Sequence, residues 1–156
     1  MARGPAPGDP APDFELQGTD GRFRLSEHRG ERVVLLFYPG DETPVCTRQF
    51  CSYRDHADEL DQLDATVVGI SGQSVRSHER FREHHDLTVP LLADADRAVA
   101  RSYGVALPGV GTRRAVFVID EAGVVRHRHV HALGLSFQTV DDLRQALAEL
   151  GEPAVG

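Results

Sequence analysis

The sequence predicts an α/β fold with a mixed central sheet. Residues 33–38 (Val-Val-Leu-Leu-Phe-Tyr) and 66–71 (Thr-Val-Val-Gly-Ile-Ser) are continuous apolar runs. They read as strands buried on both faces, and therefore as neighbours in a parallel arrangement. Segments with apolar residues at helical spacing alternate with them, as helices covering both faces of a sheet require. Two further pairs of short strands, one near each end of the chain, read as antiparallel hairpins and make the sheet mixed.

The elements follow in order. Residues 14–16 and 23–25 alternate in polarity around Gly18-Thr-Asp-Gly21, a hairpin signal. Ser26 is suited to cap a short helical turn ending at Gly30. The strand 33–38 ends at Pro39. Thr43 is a good N-cap, and Pro44 sits well at the first helical position. Phe50, Tyr53, Ala57 and Leu60 then recur as one apolar stripe, with Arg54, Asp55 and Asp58 on the polar side. The strand 66–71 leads to a polar helix over 74–85 with Val75 and Phe81 as anchors. Residues 89–92 read as a short strand containing Pro90, and Asp96 as the cap of a short helix ending near Gly104. Residues 115–120 and 124–131 form the second hairpin around Glu121-Ala-Gly123. Val140, Leu143, Leu147 and Leu150 mark a closing helix that stops at Gly151.

The 156 residues suit one domain over 1–156, with flexible ends at 1–7 and 151–156. Four prolines within residues 5–12 give an extended lead-in. Apolar residues make up 40%, enough for a core. Lys and Arg number 17 against 24 Asp and Glu, a formal charge of −7, which disfavours nucleic acid as a partner. No apolar run is long enough for a membrane span. The start of the chain carries no apolar signal region, so the expected location is cytoplasmic. In that reducing setting a pair of cysteines is more often catalytic or metal-binding than structural.

The chemistry concentrates in residues 37–51, Phe-Tyr-Pro-Gly-Asp-Glu-Thr-Pro-Val-Cys-Thr-Arg-Gln-Phe-Cys. Of these, Pro39 to Cys46 lie beyond the C-terminal end of a parallel strand, where α/β sheets place their sites. Cys46 falls in the first turn of the helix starting at Thr43. First-turn N–H groups lack intrahelical partners, and the helix dipole puts partial positive charge there. Both favour the thiolate, the nucleophilic form of cysteine. Cys51 is five residues on. In a helix that spacing separates the Cα atoms by about 8.7 Å, beyond the ~7 Å reach of a disulfide. Cys46 shares a face with Phe50 and Tyr53, whereas Cys51 falls with Arg54 and Asp58. A bond between the two cysteines therefore requires the helix to unwind, which suggests a wound dithiol state and a locally unwound disulfide state.

The pattern Pro39-x-x-x-Thr43-x-x-Cys46 resembles the active-site signature of the peroxiredoxins. Its extension, Thr43-Pro-x-Cys46-Thr47-x-Gln49-x-Cys51 followed by Arg54-Asp55, resembles the Q subfamily, also called bacterioferritin comigratory proteins. The likeness runs from about residue 7 to 150. It includes an opening Gly8-Asp-Pro-Ala-Pro-Asp-Phe-Glu-Leu16 and a later Arg114-Ala-Val-Phe-Val-Ile-Asp120. The resemblance implies a thioredoxin-like fold and thiol-dependent reduction of hydroperoxides. Cys46 would be the peroxidatic cysteine and Cys51 the resolving one, joined in an intramolecular disulfide that thioredoxin or a similar dithiol reduces. Thr43, Val45, Cys46 and Arg114 would contact the peroxide, with Thr43 hydrogen-bonding its oxygens. Arg114 would stabilise the thiolate and the charge developing on the breaking O–O bond. Arg113 is its competitor, and the spacing to Phe117 selects Arg114. Pro39 would shield the sulfur from water, and Gln49 is placed to hold the arginine. No metal, flavin or nucleotide is called for, and the expected state is a monomer or weak homodimer.

Other readings compete. Two inert buried cysteines are one, and a zinc site is another that lacks the usual ligand spacing. A general thiol–disulfide oxidoreductase would expect CxxC, which is absent. A redox-regulated binding or sensor protein would use the unwinding as a signal and not for turnover. His127, His129 and His131 share one strand face and could hold a metal, but a polar strand face beside Arg126 and Arg128 is the plainer reading. The Gly109-Val-Gly111 loop carries no distinctive pattern.

Overall fold

The computed structural model describes residues 4–107, 111–131 and 136–151. Seven strands form one mixed sheet. They are β1 (Glu15–Gly18), β2 (Gly21–Arg24), β3 (Arg32–Phe37), β4 (Ala65–Ser71), β5 (Leu91–Ala93), β8 (Ala115–Ile119) and β9 (Val125–Val130), in the spatial order β2-β1-β5-β4-β3-β8-β9. β3, β4 and β5 are parallel, and β1 and β8 flank them antiparallel. The short β6 (Ala106–Leu107) and β7 (Gly111–Thr112) pair separately, and most of the Gly109–Gly111 loop between them lies outside the described residues. The helices are α1 (Pro44–Asp55), α2 (Ala57–Asp61), α3 (Val75–His85), α4 (Ala98–Ser102) and α5 (Val140–Ala148).

Every residue of β3 is buried, as an apolar run in the middle of a sheet must be. Alternation divides it between two cores. Val33, Leu35 and Phe37 face Phe14, Val99, Tyr103 and Phe117 on one side. Val34, Leu36 and Tyr38 face Phe50, Tyr53, Phe81, Leu143 and Leu147 on the other. Cys46 belongs to this second core, beneath α1.

Several local details differ from the sequence expectation. The turn after β2 is a 3-10 helix (Leu25–His28) with Arg24 at its N-cap position, and Ser26 does not cap it; the Ser26 N–H instead donates to Asp13. The stripe from Phe50 to Leu60 is broken at His56 into α1 and α2. In α3 the anchors are Phe81 and a fully buried His78, while Val75 is only half-buried. The start of α4 is held mainly by Asp94, whose carboxylate accepts from the N–H groups of Val99 and Ala100; Asp96 accepts only from Ala98. α5 opens on a reciprocal capping box between Thr139 and Asp142. Of the segment 1–7 expected to be loose, Pro5 is buried, and Gly4 packs so closely on the Tyr103 backbone that a side chain would not fit. Gly151 adopts φ +77°, which glycine tolerates, and residues 152–156 lie outside the described residues.

The histidines of β9 are half-buried. His129 stands opposite Val116 and His127 opposite Val118. Burial, and then the neighbouring His129, hold the imidazoles of His127 and His131 below the ordinary histidine range. A group depressed in the folded state contributes stability that is complete above its unfolded value, about 6.5, and is lost as pH falls. The melting temperature should therefore begin to fall as pH drops below that value. The decline should be shallower in His127→Gln/His131→Gln; an identical profile would rule these two residues out as its source.

Candidate active site

The register of the sheet delivers the site. Phe37 at the end of β3 pairs with Ala115 at the start of β8, so Arg114 arrives beside Tyr38, where the chain leaves the sheet for α1. Residues 39–43 make that crossing. Thr43 has extended backbone angles (φ −74°, ψ 148°) and Pro44 begins the helix, which puts Cys46 at its third residue. Cys46 is fully buried and Cys51 partly so; both are free thiols on one continuously wound helix.

Arg114 is 3% exposed and donates from Nη2 to the Cys46 sulfur at 3.0 Å. Its Nη1 donates to Gln49 Oε1. Gln49 Nε2 donates to Tyr53 Oη at 2.9 Å, and Tyr53 donates to the Gln138 carbonyl at 2.5 Å. The guanidinium is thus the end of a buried chain that runs along one face of α1 into the segment before α5. Burial pushes the Tyr53 phenol well up, so it stays neutral and can serve as a donor. Arg114 Nε is buried with no hydrogen-bond partner among the described residues, so its N–H is uncommitted. Arg113 is exposed and lies outside this arrangement.

Thr43 behaves differently from the sequence expectation. It occupies the N-cap position, but its hydroxyl makes no capping bond and donates to the Gly40 carbonyl at 2.9 Å. Its proton is therefore committed. Its oxygen keeps lone pairs that can accept a hydrogen bond. The consequence at the helix start is that, among the described residues, no side chain caps the N–H groups of Val45 and Cys46. These first-turn donors and Arg114 surround the sulfur, where they can stabilise negative charge on it or on an atom next to it. Val45 is half-buried, and Pro39 is exposed at the end of β3.

The crossing segment is also tied to α3. The Asp41 carboxylate accepts from Tyr38 Oη (2.7 Å), Ser77 Oγ (2.7 Å) and His78 Nδ1 (2.8 Å). His78 Nε2 meets the Leu92 carbonyl at 2.9 Å, and the Asp41 N–H donates to Gln73. Burial alone would raise the Asp41 carboxyl, but the bonds from His78 and Ser77 outweigh it and hold the group below its usual range. Sequence reasoning missed this pair. The signal was present: His78 lies three residues before Phe81, on the same helix face.

Gln49→Met keeps the side-chain volume but removes both of Gln49's bonds, leaving Arg114 with the sulfur alone. Peroxide reduction should slow by about tenfold, because an arginine with fewer anchors is less well aimed. Stopped-flow rates measure this; an unchanged rate would make Gln49 a packing residue.

The pattern of the AhpC/TSA family matches residues 7–128. The chain is 41% identical over 123 residues to Peroxiredoxin Q, chloroplastic, of Oryza sativa subsp. japonica; the match takes in 77% of this chain and 57% of the rice protein. It is 37% identical over 124 residues to Peroxiredoxin Bcp of Bacillus subtilis, covering 74% of this chain and 79% of that protein. Among solved structures, peroxidoxin BcpB from Mycobacterium tuberculosis aligns with a TM-score of 0.78 at 36% identity, over 94% of this chain and 96% of that one. The reduced 2-Cys peroxiredoxin of Plasmodium vivax aligns with a TM-score of 0.84 at 24% identity, over 92% and 95%, a likeness of fold. The matched stretch thus spans little more than half the length of the rice relative. The chain belongs to the AhpC/TSA family, and within it to the peroxiredoxin Q/Bcp branch.

Proposed function

We propose that this chain is a thiol-dependent peroxidase that reduces hydrogen peroxide and organic hydroperoxides and is recycled by thioredoxin or a similar dithiol. The observation that carries the proposal is the Arg114 guanidinium 3.0 Å from a fully buried Cys46 sulfur at an uncapped helix start. The Cys46 thiolate attacks one peroxide oxygen in line with the O–O bond. The S–O bond forms, the O–O bond breaks, and its electron pair leaves on the other oxygen, which takes up a proton to become water or an alcohol. Arg114 and the first-turn N–H groups act where that charge appears, so they favour the transition state over the ground state. Thr43 accepts from the peroxide hydroxyl and Val45 lines the approach, while Pro39 covers the sulfur from the solvent side.

Cys46 is now a sulfenic acid. The Cys51 thiol condenses with it, forming a disulfide and releasing water. Because both cysteines sit on one wound helix, this step needs residues 46–52 to unwind. A dithiol then reduces the disulfide by exchange, which suits a reducing, cytoplasmic setting and a monomer or weak homodimer.

Cys51→Ser tests the resolving role. This variant should consume one equivalent of peroxide at the wild-type rate and then stall, with dimedone trapping Cys46 and excess peroxide over-oxidising it. Full multiple turnover with thioredoxin in that variant would refute the intramolecular step.

A further inference from the structure

Glu42 lies between Asp41 and Thr43 on the segment that leads into α1, and it is one of the few non-glycine residues with a left-handed backbone (φ +62°). Such a conformation is costly outside glycine and marks a side chain aimed by its surroundings. Here it sends the Glu42 carboxylate to the C-terminal end of α3. One carboxylate oxygen lies 2.7 Å from His84 Nδ1 and the other 2.5 Å from His85 Nε2. The two imidazole rings are 4.4 Å apart, and the three candidate ligand atoms all lie within 4.8 Å of one another. His85 is held in place by an edge-to-face contact with the buried Phe81 (5.5 Å) and is 22% exposed, while His84 is 68% exposed and free to adjust. Ligand atoms on one Zn2+-like ion sit about 3–4 Å apart, so small rotations of His84 and Glu42 seat one. Two imidazoles and a carboxylate suit Zn2+ or Ni2+, with water completing the coordination.

The position gives the site a consequence. Arg54, in the last turn of α1, donates to the His85 carbonyl at 2.6 Å. The C-terminal end of α3 therefore grips α1 at both ends, at Glu42 just before it and at Arg54 near its close. We propose that Glu42, His84 and His85 form a site for a divalent, imidazole-seeking cation, and that an ion bound there holds α1 wound and slows the Cys46–Cys51 disulfide step. The effect on the disulfide rests on the peroxidase reading; the cation site does not. An ion that binds only the wound state lowers the unwound population by the factor 1 + [M]/Kd, about tenfold at an ion concentration of ten times Kd. Sulfenic acid would then persist at Cys46, and over-oxidation would rise.

The test has two arms on the full chain, with Ni2+ as the probe. In the first, Ni2+ is titrated calorimetrically into the thiol-free Cys46→Ser/Cys51→Ser protein. One equivalent should bind, and adding Glu42→Gln and His84→Ala should abolish that binding. No binding, or binding that those substitutions leave intact, overturns the site. In the second, the protein with both cysteines is mixed with one equivalent of hydrogen peroxide, quenched at intervals and weighed by mass spectrometry. At ten times Kd, Ni2+ should slow disulfide formation about tenfold and leave sulfenic acid formation unchanged. In Glu42→Gln/His84→Ala, Ni2+ should leave both steps unchanged. A disulfide rate that Ni2+ leaves unchanged overturns the hold on α1. If no disulfide forms even without metal, the intramolecular step of the proposed cycle fails and the hold fails with it, while the calorimetry still decides the site.

Discussion

Cys46→Ser should abolish peroxide consumption and leave the fold in place. Serine is close to cysteine in size, so the buried site beneath α1 stays filled and Arg114 keeps its bond to Gln49. What is lost is the nucleophile. A thiolate is accessible near neutral pH, whereas an alcohol without a general base is not ionised and attacks peroxide poorly. Among the described residues no imidazole or carboxylate is hydrogen-bonded to Cys46; its one recorded partner is a guanidinium, which cannot act as a base. Consumption of hydrogen peroxide should fall to the buffer rate, and the circular dichroism spectrum should match wild type. Retained turnover would move the nucleophile elsewhere in the chain.

Arg114→Ala should have the second-largest effect. The variant removes a donor aimed at the sulfur where charge changes hands, and loss of one such donor typically costs 10²–10³-fold, so a drop of about that size is expected. It also has a structural price, because Gln49 Oε1 is left buried without its partner, a cost of about 1–3 kcal/mol. A domain of this length should then melt a few degrees lower. Rate and stability separate the two roles. Arg114→Lys keeps a charge but cannot reach sulfur and Gln49 together with one planar fork, so it should rescue little of the rate. Arg113→Ala, at an exposed position outside the site, should leave both quantities near wild type. A normal peroxide rate in Arg114→Ala would remove the guanidinium from the chemistry.

Much of this arrangement was legible in the sequence because it depends on one-dimensional signals. An unbroken apolar run could only be the buried centre of a sheet, and β3 is buried at every residue. Pro44 after Thr43 marked the start of α1, and with it the position of Cys46 in the first turn. The Arg114-x-x-Phe117 spacing of the peroxiredoxin-like motif singled out Arg114 over its neighbour, and the structure buries Arg114 and leaves Arg113 exposed. What escaped depended on directions that spacing does not encode. The Thr43 hydroxyl could turn to cap the helix or back to Gly40, and only the shape of the crossing segment decides between them. His78 and Asp41 are 37 residues apart, and their pairing appears only when α3 packs on the sheet. The left-handed turn at Glu42 carries no glycine to announce it. The break at His56 interrupts a stripe whose periodicity continues through it, so hydrophobic pattern alone could not locate it.

The central claim is that Cys46 and Cys51 act on one peroxide together. Its most direct test adds one equivalent of hydrogen peroxide to the fully reduced protein and follows intact mass, free thiols and hydrogen exchange on the same sample. The expected product has lost two hydrogens and both thiols, with faster exchange across residues 46–52 and continued protection of β3 and β8. Two thiols surviving the addition, or a verified Cys46–Cys51 disulfide with exchange across 46–52 unchanged, would contradict it.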